Sequence, residues 1–215
     1  MKIHREGYPF IALFAAVNLL AFLLAAWLGW LLLPVTIWCV AFFRDPERKT
    51  PGEPGLIICP ADGKLLPIVD AVPPAELGMG EMARPRLSIF MNVFNVHVNR
   101  NPVTGNVVAL AYRTGKFFNA SFDKASIHNE RMSVRLRPEG ESGESRDLAV
   151  VQIAGLVARR IVCELAQGEG VRRGDRFGII RFGSRVDVYL PPGTEILVQP
   201  GITTRAGETV LARFS

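Results

Sequence analysis

Cysteine is scarce in this chain, and its scarcity removes two kinds of structure. The three cysteines, Cys39, Cys59 and Cys163, are an odd number without the paired spacing of redox or metal-binding motifs. Neither a disulfide framework nor a zinc site is indicated. We expect reduced cysteines, a reducing compartment and no bound metal.

Long basic runs with interleaved aromatic residues are also missing. The formal net charge of +5 suits either nucleic acid or an anionic membrane surface. Without such a run we expect no nucleic-acid partner. The membrane is favoured because the chain also has a long apolar segment.

Charged side chains are absent from residues 8–43. A helix crosses the hydrocarbon core with about 20 residues, so this run is too long for one crossing. It predicts a transmembrane or re-entrant hairpin of two short helices, with a turn near Gly29 to Pro34. A cleaved signal peptide is the alternative, but its apolar core has only about 7–15 residues and ends in a small-residue cleavage site. A buried helix of a soluble domain is a weaker alternative, because the segment is apolar on every face.

Both flanks of the apolar run are positively charged: Lys2 and Arg5 precede it, and Arg44, Arg48 and Lys49 follow it. By the positive-inside rule, both ends lie in the cytoplasm. We therefore expect a protein of the cell membrane whose remaining residues are on the cytoplasmic side.

The remainder of the chain predicts a β-rich domain. Residues 44–55 are charged and rich in proline and glycine, as in a linker. From Leu56 onward, apolar and β-branched runs of strand length recur. We divide the chain into a membrane anchor with linker, residues 1–50, and a β-rich domain, residues 51–215, to which any catalytic residues would belong. The fold class is mainly β, or β-rich α+β, behind an N-terminal helical hairpin.

Local patterns add three expectations inside this domain. Residues 131–137 alternate between apolar and polar side chains, which predicts a strand with one buried face. Residues 138–147 predict a solvated loop whose charges have no function. A short helix is expected around residues 121–128.

The most informative pair of residues is Gly183-Ser184, which lies between two strand-like runs. Glycine and serine are ordinary turn residues, so the pair alone favours a simple β-turn. The motifs elsewhere in the chain change that interpretation.

Three separated motifs, CPADGKL at 59–65, NVFNVHVNRNPVTG at 92–105 and FGSR at 182–185, resemble those of phosphatidylserine decarboxylases in order and setting. DKAS at 123–126, NER at 129–131 and IAGLVARRIVC at 153–163 extend the resemblance. It covers nearly everything from about Pro51 onward and is closest to the short, membrane-anchored, pyruvoyl-dependent form.

The resemblance implies that the chain cuts itself between Gly183 and Ser184. Ser184 would attack the carbonyl of Gly183, and the resulting ester would eliminate and hydrolyse to a pyruvoyl group and ammonia. The products would be a large chain, residues 1–183, and a small chain, residues 184–215. The pyruvoyl carbonyl would then serve as an electron sink for decarboxylation of phosphatidylserine to phosphatidylethanolamine.

Asp62 and His97 match family motifs and are the candidates for the base and its orienting partner. Their ordinary interpretations are an Asp-Gly turn and a structural histidine on a strand. Many relatives have two histidines three residues apart, whereas this chain has His97 and then Arg100. His97 is therefore assigned to self-cleavage, to proton transfer during decarboxylation, or to both.

Contacts with the lipid are assigned to two kinds of side chain. Phe117 and Phe118 would form an apolar rim, although core packing explains them equally well. Arg159 and Arg185 would meet the lipid phosphate or carboxylate, although Arg159 is also typical of a solvated strand face.

Two other functions remain open on the residues alone. One is a pyruvoyl-dependent decarboxylase of a soluble amino acid, for which the hairpin has no evident purpose. The other is a membrane-tethered lipoyl- or biotinyl-like β-barrel binding module, in which Asp62-Gly63-Lys64 is a turn that exposes the lysine. The sequence fixes neither the lipid backbone, diacyl or ether, nor whether the chain forms homo-oligomers.

Overall fold

The computed structural model describes residues 2–115, 128–141, 143–155, 160–181 and 183–214. Contacts divide the chain into two units. The hairpin unit consists of Met1–Glu47 together with Phe94–Val96, and the β unit consists of Arg48–Val93 and His97–Ser215. The predicted division at residues 50 and 51 into anchor and catalytic domain stays a prediction.

The hairpin unit is built from two antiparallel helices closed at their base. Its elements are β1 (Lys2–Ile3), a 3-10 turn (Arg5–Gly7), α1 (Tyr8–Leu24), α2 (Ala26–Phe42) and β2 (Arg44–Asp45). Strands β1 and β2 pair antiparallel, with Lys2 opposite Asp45 and Ile3 opposite Arg44. Both ends of the hairpin therefore lie side by side.

The break between the helices falls at Ala25, whose backbone is extended (φ −160°, ψ 125°). The prediction of a turn near Gly29 to Pro34 was wrong, because both residues lie inside α2. Gly29 serves close packing: a Cβ there would lie 2.2 Å from Cγ of Phe22. The carbonyl of Gly29 accepts a hydrogen bond of 3.0 Å from Nδ2 of Asn18 in α1.

The helices expose their apolar side chains. Residues Arg5–Leu24, counted with the 3-10 turn, are long and apolar enough to cross a membrane, and α2 is apolar but shorter. The large exposed side chains of this surface include Leu19, Leu23, Leu24, Trp27 and Trp30. Because an apolar surface of this extent is unfavourable in water, it supports membrane association.

The β unit contains fifteen strands within the residues that the structure describes. They are β3 (Leu56–Ile58), β4 (Gly63–Leu65), β5 (Val69–Ala71), β6 (Arg84–Met91), β7 (Val98–Arg100), β8 (Gly105–Arg113), β9 (Arg131–Pro138), β10 (Leu148–Ala154), β11 (Ile161–Cys163), β12 (Gly170–Val171), β13 (Arg176–Ile180), β14 (Ser184–Tyr189), β15 (Glu195–Ile196), β16 (Thr203–Thr204) and β17 (Val210–Arg213). The β-rich fold class is confirmed. The helix expected around residues 121–128 falls on a segment of which only His128 is described.

The strands form one large sheet and two small ones, all antiparallel. The large sheet has the order β12-β8-β9-β10-β14-β6-β4-β16, and β5 also pairs with β6. The small sheets have the orders β11-β13-β7 and β15-β17-β3. Strand β14 therefore lies inside the large sheet, between β10 and β6.

The main core covers one face of the large sheet. Alternate residues of its central strands point into this core: Leu87, Ile89 and Met91 of β6, Leu148, Val150 and Ala154 of β10, and Val186 and Val188 of β14. The intervening residues of these strands point to the opposite face.

That opposite face is buried as well, so the prediction of one buried face on residues 131–137 was incomplete. The 3-10 turn Ala75–Leu77 covers it, and Glu76 accepts hydrogen bonds from Arg131 at 2.7 and 2.9 Å and from Ser133 at 3.1 Å. Burial by itself would raise the pKa of Glu76, but the hydrogen bonds and charge of Arg131 outweigh it and lower that pKa. A polar strand face is thus buried through ion pairing.

The solvated loop predicted at residues 138–147 ends on a buried charge, which the sequence interpretation missed. Asp147 is fully buried and accepts hydrogen bonds from Nε of Arg135 at 2.7 Å and Nε of Arg137 at 2.9 Å. Its carbonyl also accepts from Arg84 at 2.8 Å. Asp147 therefore neutralises arginines of β9 at the start of β10.

We expect Asp147→Asn to destabilise the fold by about 3–5 kcal/mol, because it leaves buried guanidinium groups without their counter-charge. Glu53→Gln is the matched control, since Glu53 pairs with Arg213 at 3.2 Å on the surface, where both side chains are at least half exposed. We expect Glu53→Gln to lower the free energy of unfolding by only about 0–1 kcal/mol. Chemical unfolding of the detergent-solubilised full chain measures both, and equal losses would contradict the account.

Candidate active site

Ser184 begins β14 and lies in the interior of the large sheet. It pairs with Met91 of β6 on one side and with Ala154 of β10 on the other, and it is fully buried. Its hydroxyl lies 3.4 Å from the sulfur of Met91, to which it donates. The serine is therefore held at the end of a central strand and out of bulk water.

Gly183 enters this strand through a backbone conformation that favours glycine. Its φ is +68°, in the left-handed region. A Cβ placed there would meet no atom of the described residues within 4 Å, so the backbone conformation is what favours the glycine. Any other amino acid at position 183, on the acyl side of the Gly183-Ser184 bond, would therefore strain the backbone.

A buried polar pair beside Ser184 was missed at the sequence level. Gln152 of β10 donates from Nε2 to Oδ1 of Asn99 at 2.8 Å, and both residues are fully buried. Nδ2 of Asn99 is 3.5 Å from the carbonyl of Pro60 and 3.9 Å from the sulfur of Met91, which are both long contacts. The Asn99 amide and the Ser184 hydroxyl therefore contact the same sulfur atom, that of Met91. The available signal was a lone glutamine in the apolar run LAVVQIA.

Asp62 lies just before β4 and has two short contacts. Oδ1 accepts from the backbone N–H of Ala206 at 2.7 Å, and Oδ2 accepts from Nη2 of Arg48 at 2.7 Å. The next residue, Gly63, approaches β6 so closely that a Cβ would lie 2.3 Å from the carbonyl oxygen of Phe90. Asp62-Gly63 is therefore a fixed connection and not a solvated turn.

His97 is fully buried immediately before β7. Its carbonyl accepts a hydrogen bond of 3.3 Å from the N–H of Ile180, the last residue of β13. The chain then needs only two more residues to reach Gly183. His97 is thus beside the start of the segment that leads to the Gly183-Ser184 bond.

Strand register places Asp62 near Ser184 across one strand. Lys64 of β4 and Arg185 of β14 both pair with Phe90, from opposite sides of β6. Since neighbouring strands are about 4.8 Å apart, the starts of β4 and β14 are roughly 10 Å apart across β6.

The described contacts do not join the predicted Ser184, His97 and Asp62 in a hydrogen-bonded triad. The serine hydroxyl is directed to Met91, and the two carboxylate oxygens to Ala206 and Arg48. The catalytic roles of these residues stay predictions.

Arg185 occupies the sheet face opposite the side chain of Ser184, because successive residues of a strand alternate. It is 1% exposed and donates to both oxygens of Asp187, at 2.5 and 3.1 Å, and to Oγ of Ser88 at 2.8 Å. A lipid contact would require this buried pair to open. The other predicted lipid contacts, Arg159, Phe117 and Phe118, lie outside the described residues.

Cys59 lies close to Asp62 but is not poised as a nucleophile. Burial raises the pKa of its thiol to about 12, even though hydrogen bonds with the side chain of Thr204 and the backbone of Ala61 act in the opposite direction. Cys39, Cys59 and Cys163 are all free thiols. Among the described residues no group of three or more His, Cys, Asp or Glu side chains could hold a metal ion.

The fold and the site together define a class of protein. It has an N-terminal apolar hairpin and a β-rich unit, in which a glycine–serine bond stands at the buried start of a central strand.

Comparison with known proteins gives the family. The model of the phosphatidylserine decarboxylase family matches residues 35–212. A phosphatidylserine decarboxylase proenzyme of Ruegeria pomeroyi is 57% identical over 209 residues, which are 97% of this chain and 94% of the relative. A protein of the same name from Cereibacter sphaeroides is 56% identical over 209 residues, covering 97% of this chain and 88% of the relative. The chain therefore belongs to the phosphatidylserine decarboxylase family, and it is an enzyme of the carboxy-lyase class.

Proposed function

We propose that this enzyme converts phosphatidylserine to phosphatidylethanolamine with a pyruvoyl group that it makes from Ser184. The observation that supports this most is the buried serine behind a left-handed glycine, in a chain of this family. The relatives' name, proenzyme, agrees with a chain that is processed.

Self-cleavage begins with attack of Oγ of Ser184 on the carbonyl carbon of Gly183. The C–N bond between the two residues breaks, the nitrogen takes up a proton, and an ester joins Gly183 to the serine oxygen. Removal of the α-proton of residue 184 then expels the Gly183 carboxylate and leaves dehydroalanine. Water converts this terminus to a pyruvoyl group and ammonia, and the products are chains 1–183 and 184–215.

The surroundings of Ser184 fit such a group. Pyruvoyl retains the three carbons of serine, so it needs no larger space at the start of β14. The amide of Asn99, fixed by Gln152, contacts the same Met91 sulfur as Ser184, and we assign to it the role of donor to the new oxygen. When formed, the group accepts the substrate amine and takes up the electron pair that departing CO2 leaves behind.

His97 and Asp62 are the side chains to which we assign proton movement and orientation. The backbone of His97 lies beside the segment leading to Gly183. We assign to its side chain the removal of the Ser184 proton and the later return of a proton to the product carbon. Asp62 is fixed through Ala206, so it keeps the start of β4 in register with residues of the proposed small chain.

The proposed location is the cell membrane, with the β unit on the cytoplasmic side. The paired strands β1 and β2 bring both ends of the hairpin to one side, as a helical hairpin with cytoplasmic ends requires. The positive residues Lys2, Arg5 and Arg44 gather at these ends. The apolar helices would hold the enzyme in the bilayer that contains its substrate.

The lipoyl- or biotinyl-like binding module is disfavoured by the position of Lys64. This lysine lies within β4, between β6 and β16, and not at the tip of an exposed turn. A modified lysine of such a module needs the tip, because its partner enzymes must reach it.

Release of CO2 from carboxyl-labelled phosphatidylserine in mixed micelles tests the function. We expect release by the wild-type enzyme and its loss after treatment with borohydride, which reduces the pyruvoyl carbonyl. His97→Ala should lower the rate of processing or of CO2 release by about 10²–10⁴, as removal of a general acid–base does. Release that survives borohydride would contradict the pyruvoyl group, and unchanged rates in His97→Ala would contradict the role of His97.

Gly183→Ala tests the importance of the left-handed turn, since the new methyl group meets no atom within 4 Å in the part of the chain that the structure describes. The conformational penalty is about 1–2 kcal/mol, so we expect the small chain to form about tenfold more slowly or worse. Gly193→Ala is the matched control, with φ +78° and no atom within 4 Å of the new Cβ. Gel analysis of freshly synthesised protein measures both rates, and a normal rate in Gly183→Ala would contradict the account.

A further inference from the structure

The segment Phe94–Val96 belongs to the hairpin unit, although the sequence places it between two strands of the β unit. Arg44, at the base of the hairpin, links this segment to helix α2. Its Nη2 donates to the carbonyl of Phe94 at 2.7 Å, and its Nη1 donates to the carbonyl of Ala41 in α2 at 2.6 Å. One guanidinium therefore connects the end of α2 to this segment.

Phe94 exposes its ring at the base of the hairpin. Its side chain is 70% exposed, similar to Tyr8 at 61%, which begins α1 at the same base. Exposed aromatic rings beside cationic residues are typical of the level where lipid headgroups meet the hydrocarbon core. The ring would bury apolar area at that level, whereas in water its exposure is unfavourable.

We propose that Phe94–Val96 is a membrane-interface element whose partner is a phospholipid bilayer, with Phe94 inserted at the depth of the headgroups beside Tyr8. This inference depends on the proposed membrane location of the hairpin. Its occupant is lipid and not protein, because Arg44 links the segment to the end of α2, and the exposed apolar side chains of α1 and α2 suit a bilayer.

The segment leads directly into His97. Only Asn95 and Val96 separate Phe94 from the residue proposed to transfer protons. Docking of Phe94 on the bilayer would therefore fix the chain that precedes His97. The enzyme should then act on phosphatidylserine in a bilayer more readily than on the same headgroup in solution, and Phe94 should contribute to the difference.

Tryptophan fluorescence tests the insertion. The probe protein is the full chain with Trp27, Trp30 and Trp38 changed to Phe and with Phe94→Trp as its single tryptophan. It is reconstituted in nanodiscs whose lipids are brominated either near the headgroup or near the end of the acyl chain. We expect strong quenching by the former and weak quenching by the latter. Met82→Trp, at a position that is 66% exposed in the β unit, is the control.

Absence of quenching at Phe94, or quenching no stronger than at Met82, would overturn the proposal. A blue-shifted emission without quenching by either lipid would also overturn it, because it would show a protein partner such as a second copy of the chain.

A kinetic comparison in the natural tryptophan background keeps the proposal falsifiable if that probe chain does not fold. Phe94→Ser should lower kcat/KM for phosphatidylserine in vesicles by about tenfold and leave the rate on a monomeric short-chain phosphatidylserine unchanged. Phe94→Leu should retain most of the vesicle rate, and Met82→Ser should change neither rate. Equal losses on both substrates would overturn the proposal. A wild-type enzyme without activity on either substrate would instead refute the proposed function, while the quenching result would still stand.

Discussion

The central position of β14 is the constraint on which the rest of the structure depends. This strand is hydrogen-bonded on both sides, to β10 and to β6, and its first residue is Ser184. The hydrogen bonds to both neighbouring strands fix the serine backbone, and the left-handed conformation of Gly183 turns the chain into β14. If the chain breaks before Ser184, the same hydrogen bonds hold the small chain in place, because both neighbouring strands belong to the large chain. β17, also in the small chain, pairs with β3 in the same way.

Burial of charge is the second theme of the β unit. Glu76, Asp147 and Asp187 each neutralise arginines on the face of the large sheet opposite the main core. The main apolar core covers one face of these strands, and the opposite face combines ion pairs with a smaller apolar cluster that includes Val151 and Ile153. The site lies on the face of the main core. Among the described residues, the polar groups connected to Ser184 include the sulfur of Met91, the amide of Asn99 and the side chain of Gln152. The alternation of side chains between the two faces explains why Arg185, next to Ser184 in sequence, is directed away from it.

Much of this could be predicted from the sequence, and the misses have physical reasons. Strand-length apolar runs predicted a β-rich fold, and uncharged residues 8–43 predicted a helical hairpin, because both signals are local. The turn at Ala25 was missed because Gly29 has a packing role that looks like a turn signal. The buried Asp147 was missed because ion pairs between distant residues leave no periodic pattern. The roles proposed for Asp62 and His97 came from family motifs, but their neighbours, Ala206, Arg48 and Ile180, depend on tertiary contacts that spacing alone does not reveal.

The central claim is that Ser184 cuts its own chain and becomes the pyruvoyl group. Intact mass under denaturing conditions, for the purified wild-type protein and for Ser184→Ala, tests it most directly. The account predicts two wild-type chains, residues 1–183 and 184–215, with the smaller one blocked at its N-terminus and reactive toward ketone reagents. It predicts one uncut chain for Ser184→Ala. A single 23.7 kDa chain in both samples would contradict it.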